Sequence, residues 1–581
     1  MKIVKNICLL CMSVAALSSC QKDLMDLAPY DSIGSGNMWQ SENLADQGVI
    51  GVYNTLRKEN VAGEMYRYES NGVSSDNRDQ LPLVMGNVTT SDGTFSGYWK
   101  DHYEGISRAN DAIINLPNAP ISKEKMNRLI GEAKFLRAFF YYRLNSVYKG
   151  VPVYLEPTSL DELTKGRSSE AEVWDVVVKD LSDVIATSEV PNKYNAGDPN
   201  YGRISKGAAY ALRGKTYMYM KKWAEAEADF RKVGECGYAL FQGDYKQLFK
   251  EANEQCDEMI FSLQCIGLSG YGTNFPKRYG TRSTFGSCWN TYLVNTDFVE
   301  TYECKDGKPF NWNDYIPGFN EMPTQARSVY FLRDHMDEAQ ITKMTEDGAD
   351  MSKYLPEGNE ARIKTAYENR DPRLTAAIIT PYSTYLGSDG ANDITFTLRW
   401  PWEADLQEPH DLKTDTNNRF YYLFRKFVPE GSSEVPSRDY SPIDIPLIRY
   451  ADVVLSLAEA LNEQGKTEEA ITWVNKVRSR AGIAELNSNE YTQVANQDDL
   501  RERIRKERRW EFVGEGVNFF DEMRWQTLST TKFASNSGLK QIWGTIQYNT
   551  SWAGDFLYNW AIPRTEIEMN ENLTQNPGWV D

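Results

Sequence analysis

The sequence predicts a mostly α-helical protein in which paired helices form a scaffold that carries long irregular insertions. Apolar residues recur three and four positions apart in several separate stretches, which is the spacing of one helix face. Two long stretches lack this spacing and are rich in glycine and other residues that favour loops. With 41% hydrophobic and 25% charged residues, the chain of 581 residues has the composition of a globular protein.

Residues 1–19 are predicted to be a signal peptide. Lys2 and Lys5 precede an apolar run over residues 7–17, which is too short to cross a bilayer as a helix. The run ends in Leu17-Ser18-Ser19-Cys20, which is similar to the lipobox of bacterial lipoproteins. Lipidation of Cys20 would anchor residues 20–581, a single predicted domain, because several acyl chains hold a protein stably on a membrane. The alternative is an ordinary signal peptide followed by an incidental cysteine.

The first predicted helix pair joins residues 42–57 to residues 97–116. Ser41 stands where a serine side chain would cap the first of these helices. The apolar faces comprise Leu44, Val49, Tyr53 and Leu56 in the first helix, and Trp99, Tyr103, Ile106 and Ile113 in the second. Between the two helices lies a first insertion, residues 58–96, which is rich in Gly, Asn, Asp and Ser.

Residues 126–235 are predicted to contain two further pairs. Residues 130–148 and 170–187 form the looser of them, and residues 206–235 form the other around a tight turn at Lys221-Lys222. In residues 206–235, the third pair along the chain, the apolar faces comprise Leu212, Tyr217, Met220, Trp223, Ala226, Phe230 and Val233. A small residue followed four positions later by a bulky one lets two helices approach closely.

The same pattern returns within residues 446–525. The apolar positions are Val454, Leu457 and Leu461, then Ala470, Val474 and Val477 after a turn at residues 464–466. These pairs look like tetratricopeptide repeats (TPR), although none matches the full motif. One pair cannot bury its apolar face alone, so the pairs are expected to stack. Unrelated amphipathic helices that share this spacing are the alternative.

A second and much longer insertion, residues 238–445, separates the third and fourth pairs. Loops longer than about 15 residues are usually functional or disordered, and the aromatic content of this one argues against disorder. We therefore expect the insertions 58–96 and 238–445 to form the ligand-binding face on a rigid helical scaffold.

Charge and composition exclude several classes of function. A net charge of −18 argues against nucleic acid as a partner, because phosphate binding needs a basic face. The three histidines, His102, His335 and His410, argue against a multi-histidine metal site. The cysteines after Cys20 have no CxxC spacing and are predicted to be mainly buried small residues, with their disulfide state open.

Several sequence blocks resemble the SusD/RagB family of outer-membrane nutrient-binding lipoproteins of Bacteroidetes. The blocks follow the family order over nearly the whole mature chain, and together they are far more specific than any one of them. They include residues 132–142 (EAKFLRAFFYY), Gly150-Val151-Pro152, residues 369–374 (NRDPRL), residues 446–452 (PLIRYAD), residues 507–512 (ERRWEF), residues 520–525 and residues 575–579 (QNPGW).

The resemblance implies one fold of TPR-like helices with irregular ligand-binding loops, and no enzymatic activity. It implies a protein that is lipid-anchored in the outer membrane, faces the cell exterior and delivers glycans or other large nutrients to a SusC-like TonB-dependent transporter. No cofactor is expected. A structural calcium ion is known in some members, and Asp393 and Asp405 are available here, but no EF-hand spacing supports a site.

Most residues of these blocks are interpreted as structural. Arg137, Arg449, Arg508 and Glu511 stand on predicted helices beside apolar positions, and are expected to form buried or half-buried ion pairs between hairpins. The basic stretch 501–509 contains glutamates and is expected to be a charged helix with internal ion pairs.

Candidate ligand contacts combine aromatic rings with polar side chains, because sugars have apolar C–H faces and polar edges. The resemblance places the pocket on the two insertions without transferring residue identities. Candidates in the first insertion are Tyr66, Arg67, Asp76, Asn77 and Arg78. Those in the second are Tyr271, Asn274, Tyr279, Trp289, Tyr292, Trp312 and Tyr315, with Trp400 and Trp402 as further candidates. The alternative for each aromatic residue is packing beneath a long loop.

Three other functions stay open at this level. The protein could bind a non-glycan nutrient such as a peptide, or act as a TPR-type scaffold for protein partners. A glycoside hydrolase needs two carboxylates about 5–10 Å apart in a cleft. No motif singles out such a pair among the 82 acidic residues, so binding without catalysis is the preferred interpretation.

Overall fold

Paired helices form the scaffold of the molecule, as the apolar spacing predicts. The computed structural model describes residues 35–158, 163–284, 287–414, 419–434 and 437–580. The predicted signal peptide and the predicted lipidation site Cys20 lie outside these residues. Within the described ranges, no helix combines the length and the apolar character that crossing a membrane requires.

The N-terminal part of the scaffold is a series of helices in which each packs against the next. They are α1 (Glu42–Asn54), α2 (Gly93–Asn115), α3 (Lys123–Tyr148), α4 (Glu170–Ala186), α5 (Lys206–Tyr219) and α6 (Trp223–Glu235). Serine side chains cap four of them by accepting a hydrogen bond from a backbone N–H of the first turn. Each such cap contributes about 1 kcal/mol to stability. The capping residues are Ser41, Ser122, Ser169 and Ser205.

The turn between α5 and α6 lies at Lys221-Lys222, as predicted, and Lys221 adopts a left-handed conformation with φ 56°. Gly214 allows the two helices to approach closely. A Cβ atom at this position would lie 2.6 Å from Cε1 of Phe230, so any larger residue would push the ring or the helix aside. The approach of a small residue to a bulky one is therefore the contact that closes this hairpin.

The long insertion contains two helices that the sequence analysis assigned to irregular structure, α7 (Glu338–Glu346) and α8 (Asn359–Glu368). Both are short, and Met344 is the one buried residue of α7, so neither has an apolar stripe long enough to produce a periodic signal. Apart from the C-terminal helices described below, the other α-helical segments of the described residues are about one turn long. They are Ser35–Met38, Tyr66–Glu69, Pro82–Met85, Phe275–Tyr279, Thr296–Glu300, Pro372–Ala377 and Arg564–Met569.

The strands form two-stranded antiparallel sheets. They are β1 (Ser75–Asn77), β2 (Met259–Leu263), β3 (Tyr292–Val294), β4 (Ile378–Ile379), β5 (Thr384–Ser388), β6 (Asp393–Thr397), β7 (Leu423–Phe424), β8 (Ile445–Arg449), β9 (Gly538–Lys540) and β10 (Ile546–Asn549). The pairs are β1–β3, β2–β8, β4–β7, β5–β6 and β9–β10. Pairing of β2 with β8 joins the two ends of the long insertion, with Leu263 opposite Ile445.

Two acidic side chains lie at this junction. The backbone N–H of Asp444 donates to Glu254 (2.6 Å), and the Asp444 carboxylate accepts from the backbone N–H of Cys265 (2.6 Å) and from Gln264 (2.7 Å). Burial and the neighbouring Asp444 charge raise the pKa of Glu254 to about 8. Burial also raises the pKa of Asp444 to about 7, against the opposing effects of the Cys265 N–H and Arg57.

This pair predicts that stability falls as the pH rises. Between about pH 5 and 8 the folded protein holds protons that the unfolded chain has lost, so the free energy of unfolding decreases through this window. Glu254→Gln is expected to flatten the profile and to gain about 1–2 kcal/mol at pH 8. Urea denaturation at pH 5, 6, 7 and 8 measures this, with the exposed Glu502→Gln as control. Parallel profiles for the wild type and Glu254→Gln would contradict the prediction.

The C-terminal helices complete the scaffold. They are α9 (Tyr450–Glu463), α10 (Thr467–Ala481), α11 (Gln497–Glu511) and α12 (Val517–Trp525). Helix α9 packs against α10 and α11, and also against α6 on the other side of the long insertion. The third and fourth helix pairs are therefore neighbours in space, as stacking requires.

Buried ion pairs connect these helices, as expected for Arg137, Arg449 and Arg508, although Arg449 is the last residue of strand β8 and does not lie on a helix as predicted. Arg137 Nε lies 2.8 Å from Asp180 and joins α3 to α4. Arg508 Nη2 lies 2.7 Å from Asp452 and joins α11 to α9. All of these arginines are buried, so each pair couples the position of one helix to that of its neighbour.

Glu511, at the end of α11, lies at the centre of the largest such cluster. Its carboxylate lies 2.7 Å from Arg449 Nη1 and 3.0 Å from Arg373 Nη1, and it also pairs with Arg480. Burial alone would raise the pKa of Glu511, but the Arg480, Arg449 and Arg373 guanidiniums outweigh burial and hold the pKa well below its usual range. The cluster joins the long insertion, which contributes Arg373, to the C-terminal helices.

Candidate functional site

A cleft of about 670 Å³ opens between α7, the Trp400-Pro401-Trp402 loop and the C-terminal segment that contains Trp543. Three tryptophans contribute to its wall, together with amide, hydroxyl and charged side chains. The polar lining includes Gln325, Ser328, Gln340, Lys343, Arg419 and Gln541. Apolar surface with a few convergent polar groups is the usual composition of a binding site for a small or extended polar ligand.

Arg333 fixes the tryptophan loop in place. Its backbone N–H donates to the Trp400 carbonyl (2.6 Å), and its Nη1 donates to the Pro401 carbonyl (3.2 Å). The same Nη1 lies 2.8 Å from the buried Asp411 carboxylate, which also accepts from the backbone N–H of Glu403 (2.9 Å). The buried Arg333–Asp411 ion pair therefore holds the backbone before and after Trp402, which orients the ring before any ligand binds.

The tryptophans have different exposures in the cleft. Trp400 and Trp543 are buried at its floor, with ring centroids 5.5 Å apart. Trp402 is half-buried, and Lys413 Nζ lies 4.4 Å from its ring centroid. Among the described residues, nothing accepts a hydrogen bond from the buried Nε1–H of Trp402. A buried donor without an acceptor costs about 1–3 kcal/mol.

Polar groups on α7 are already oriented toward this cleft. Gln340 Nε2 donates to Glu403 (2.7 Å), and Lys343 Nζ lies 2.5 Å from Asp347. Because Asp347 compensates the charge of Lys343, this lysine is not an unpaired charge when the cleft is empty. It can still donate a hydrogen bond to a ligand hydroxyl. The cleft thus offers both donors and acceptors beside the Trp402 ring.

Four of the sequence-predicted contacts form a packed cluster. The Tyr66 ring lies 4.8 Å from that of Tyr292 and 6.1 Å from that of Tyr279, and its hydroxyl donates to Asn274 (2.9 Å). Tyr66, Tyr279 and Tyr292 are all buried. The structure thus brings these predicted residues together, but beneath the surface, where the three rings have no free face for a sugar.

Arg67 and Tyr271 lie closer to solvent. Arg67 is paired with Glu64 (2.5 Å) and Glu59 (3.0 Å), and Asn274 also donates to Glu64 (2.9 Å). Tyr271 is 55% exposed. Glu59, Glu64 and Asn274 line a smaller cleft of about 180 Å³, so this part of the predicted site has accessible polar groups but no aromatic floor.

Asp76, Asn77 and Arg78 hold the two insertions together. The buried Asp76 carboxylate lies 2.6 Å from Lys532 Nζ. Asn77 lies in β1 opposite Tyr292, and the Arg78 guanidinium donates to the Trp289 carbonyl (3.2 Å). These polar groups have protein neighbours that explain their presence, so their place in the structure does not require a ligand.

Trp312 and Tyr315, two further predicted contacts, pack within the long insertion. Trp312 is 3% exposed, its ring stacks 4.7 Å from that of Phe319, and its Nε1–H donates to Glu300 (2.8 Å). Tyr315 is half-buried, and its ring lies 5.7 Å from that of Phe310. The alternation of aromatic and polar residues here results from a short helical turn that buries Trp312 and leaves the asparagines outside.

Trp289 keeps 37% of its surface exposed, so a ligand can reach it.

The sequence around Trp402 could not predict that Trp543, Gln541 and Arg419 share a cleft with it, because tertiary packing alone brings these residues together. No group of three or more metal-ligating side chains occurs in the described residues, so Asp393 and Asp405 do not belong to one.

Comparison with known proteins identifies the family. Residues 257–579 match the SusD family, and residues 23–218 match a family described as starch-binding and associating with the outer membrane. The chain belongs to the SusD family. The predicted membership is thus confirmed over more than half of the chain.

Individual relatives of this SusD-family protein agree with the family assignment. It is 26% identical over 537 residues to "SusD-like protein P38" of Formosa agariphila, covering 90% of this chain and 92% of that one. A SusD-like protein of Bacteroides fragilis has the same fold, with a TM-score of 0.74 at 23% identity over 95% of this chain and 100% of that one. A SusD-like carbohydrate-binding protein from the same species gives a TM-score of 0.71 at 24% identity, covering 92% and 100%. The SusD-like, mostly α-helical fold is therefore confirmed.

Proposed function

We propose that this SusD-family protein binds oligo- or polysaccharide at the cell surface and delivers it to a SusC-like TonB-dependent transporter. The observation that carries the proposal is the Trp402 cleft, in which an oriented tryptophan ring stands beside amide, hydroxyl and charged side chains. The family description as starch-binding and the name of the carbohydrate-binding relative support a glycan as the ligand. Outer-membrane association in that description supports the location.

A sugar fits this cleft chemically. Its C–H face can stack on the Trp402 ring, since aromatic rings offer large apolar contact in a fixed geometry. Its hydroxyls can exchange hydrogen bonds with Gln340, Gln541 and Ser328. We propose anchoring through a lipid on Cys20, which the lipobox-like sequence supports.

Trp402→Ala is expected to weaken glycan binding tenfold or more, which corresponds to about 1.4 kcal/mol. The lipid-free protein, residues 21–581, is first screened against plant, host and microbial polysaccharides, and the best ligand is then titrated by calorimetry. Trp473→Ala is the matched control, because Trp473 is also half-buried beneath a lysine (Lys476, 3.4 Å) but lies on scaffold helix α10. Unchanged affinity in folded Trp402→Ala protein would remove the cleft from the proposal.

We further propose that binding occurs without hydrolysis. The wild-type protein incubated with its best glycan is expected to generate no new reducing ends over hours. Sustained release of reducing ends by purified protein would show turnover and would replace the binding-only function with that of a glycoside hydrolase.

A further inference from the structure

The exposed Trp289 ring is surrounded by positively charged side chains. Lys277 Nζ lies 4.4 Å from the ring centroid, and the guanidinium carbons of Arg278 and Arg438 lie 5.4 and 5.8 Å away. Arg78 donates to the Trp289 carbonyl. Such a concentration of cations is unexpected in a chain with a net charge of −18.

Part of this charge is compensated within the protein. Asp439 lies 2.7 Å from Lys277 Nζ and 3.8 Å from Arg438 Nε. Arg278, however, forms no ion pair with any carboxylate of the described residues, and its buried Nε has no hydrogen-bond partner there. An unpaired guanidinium therefore stands next to an exposed aromatic ring.

The backbone holds this arrangement rigidly. The N–H of Trp289 donates to the Lys277 carbonyl (2.8 Å), and the N–H of Asn290 donates to the Gly280 carbonyl (2.7 Å). Lys277 and Arg278 belong to the single-turn helix Phe275–Tyr279. The backbones that carry the ring and the two cations thus have a fixed relative position, which lowers the entropic cost of binding a ligand between them.

We propose that Trp289, Lys277, Arg278 and Arg438 form a subsite for an anionic sugar, one that bears a carboxylate or a sulfate group. The C–H face of such a sugar would stack on Trp289. Its anionic group would accept charge-assisted hydrogen bonds from Arg278, whose planar guanidinium matches both oxyanions. This inference rests on the proposed function, because it names the class of glycan that the same binding face selects.

The subsite lies near the Trp402 cleft. A further cleft of about 560 Å³ has Ser287, two residues before Trp289, and Lys413, which covers the Trp402 ring, in its wall. Arg282 lies in the same wall. A polysaccharide could therefore contact Trp402 and Trp289 together, and the charged subsite would set which polysaccharides gain the second contact.

The test compares matched pairs of glycans. Oligogalacturonate is titrated against its fully methyl-esterified form, and chondroitin sulfate against its desulfated form, at 50 and 300 mM NaCl. At least one anionic probe is expected to bind tenfold or more tightly than its matched, less charged form, and to lose most of that advantage at the higher salt. The pair that shows the difference tells carboxylate from sulfate recognition.

Arg278→Gln is expected to abolish the tenfold preference and to leave the affinity of the less charged forms within twofold. Arg362→Gln is the control, because Arg362 also lies over an aromatic ring (Tyr330, 4.5 Å) and also has a buried Nε without a partner in the described chain. A preference below twofold in the wild type, or one that Arg278→Gln retains, would overturn the inference. If neutral glycans still bind and require Trp402, the proposed function stands alone, whereas absence of all glycan binding ends both.

Discussion

Replacing Glu511 with glutamine is expected to lower the free energy of unfolding by about 3–5 kcal/mol. The carboxylate contacts Arg373, Arg449 and Arg480, and all three guanidiniums are buried. Glutamine preserves the shape but removes one of the negative charges that these arginines share in a low-dielectric interior, where Asp371, Glu258 and Glu515 remain among their carboxylate partners. The loss of the mutual attraction then exceeds anything that the retained hydrogen bonds recover.

The matched control lies on the same helix. Glu502→Gln removes an exposed carboxylate that lies 2.7 Å from Arg505 Nη1, and surface pairs of this kind contribute about 0–1 kcal/mol. Urea denaturation monitored by tryptophan fluorescence and by circular dichroism measures both variants. A loss below 1 kcal/mol for Glu511→Gln would mean that the buried cluster is not a major source of stability.

Asp76→Asn is expected to cost about 3 kcal/mol, because it leaves the buried Lys532 ammonium without its carboxylate partner. Asp76 also accepts from Asn295 (2.7 Å), and these contacts fasten the first insertion to the second and to the C-terminal segment. The exposed Asp79→Asn in the same loop is the control and is expected to be neutral. Both variants are measured by thermal and urea denaturation.

This experiment also separates a structural role from the ligand role predicted for Asp76. Under conditions where Asp76→Asn is folded, its glycan affinity is expected to equal that of the wild type. The double variant Asp76→Asn with Lys532→Met should recover part of the lost stability, since it removes the unpaired charge. A variant of normal stability that fails to bind glycan would instead establish Asp76 as a ligand contact.

The helical scaffold could be predicted because its information is local. The spacing of Leu212, Ala226 and Phe230 specifies which faces meet, and the serine caps mark where helices begin. The ion-pairing role of Arg449 could also be predicted, since an arginine among apolar residues needs a partner. Its particular partners could not, because Glu258 and Glu511 come from distant parts of the chain.

The candidate site was harder to predict because exposure is a tertiary property. Trp312 and Trp289 stand in similar aromatic and polar surroundings in the sequence, yet Trp312 is buried and Trp289 is exposed. Trp402 was one of several candidates, and only the structure places it beside Trp543 in a cleft. Composition predicts that the insertions 58–96 and 238–445 carry the recognition surface, but the arrangement of side chains on such a surface depends on how the insertions fold.

The pairing of β2 with β8 has an evolutionary consequence. Because the long insertion departs and returns at adjacent positions, its two ends are held together at the scaffold. Doubling the length of a flexible loop costs only about 0.6 kcal/mol in closure entropy. Segments within residues 264–444 that do not contact the helices can therefore lengthen or shorten at low cost, as long as Arg373, Asn295 and the other residues that connect to the rest of the protein are kept.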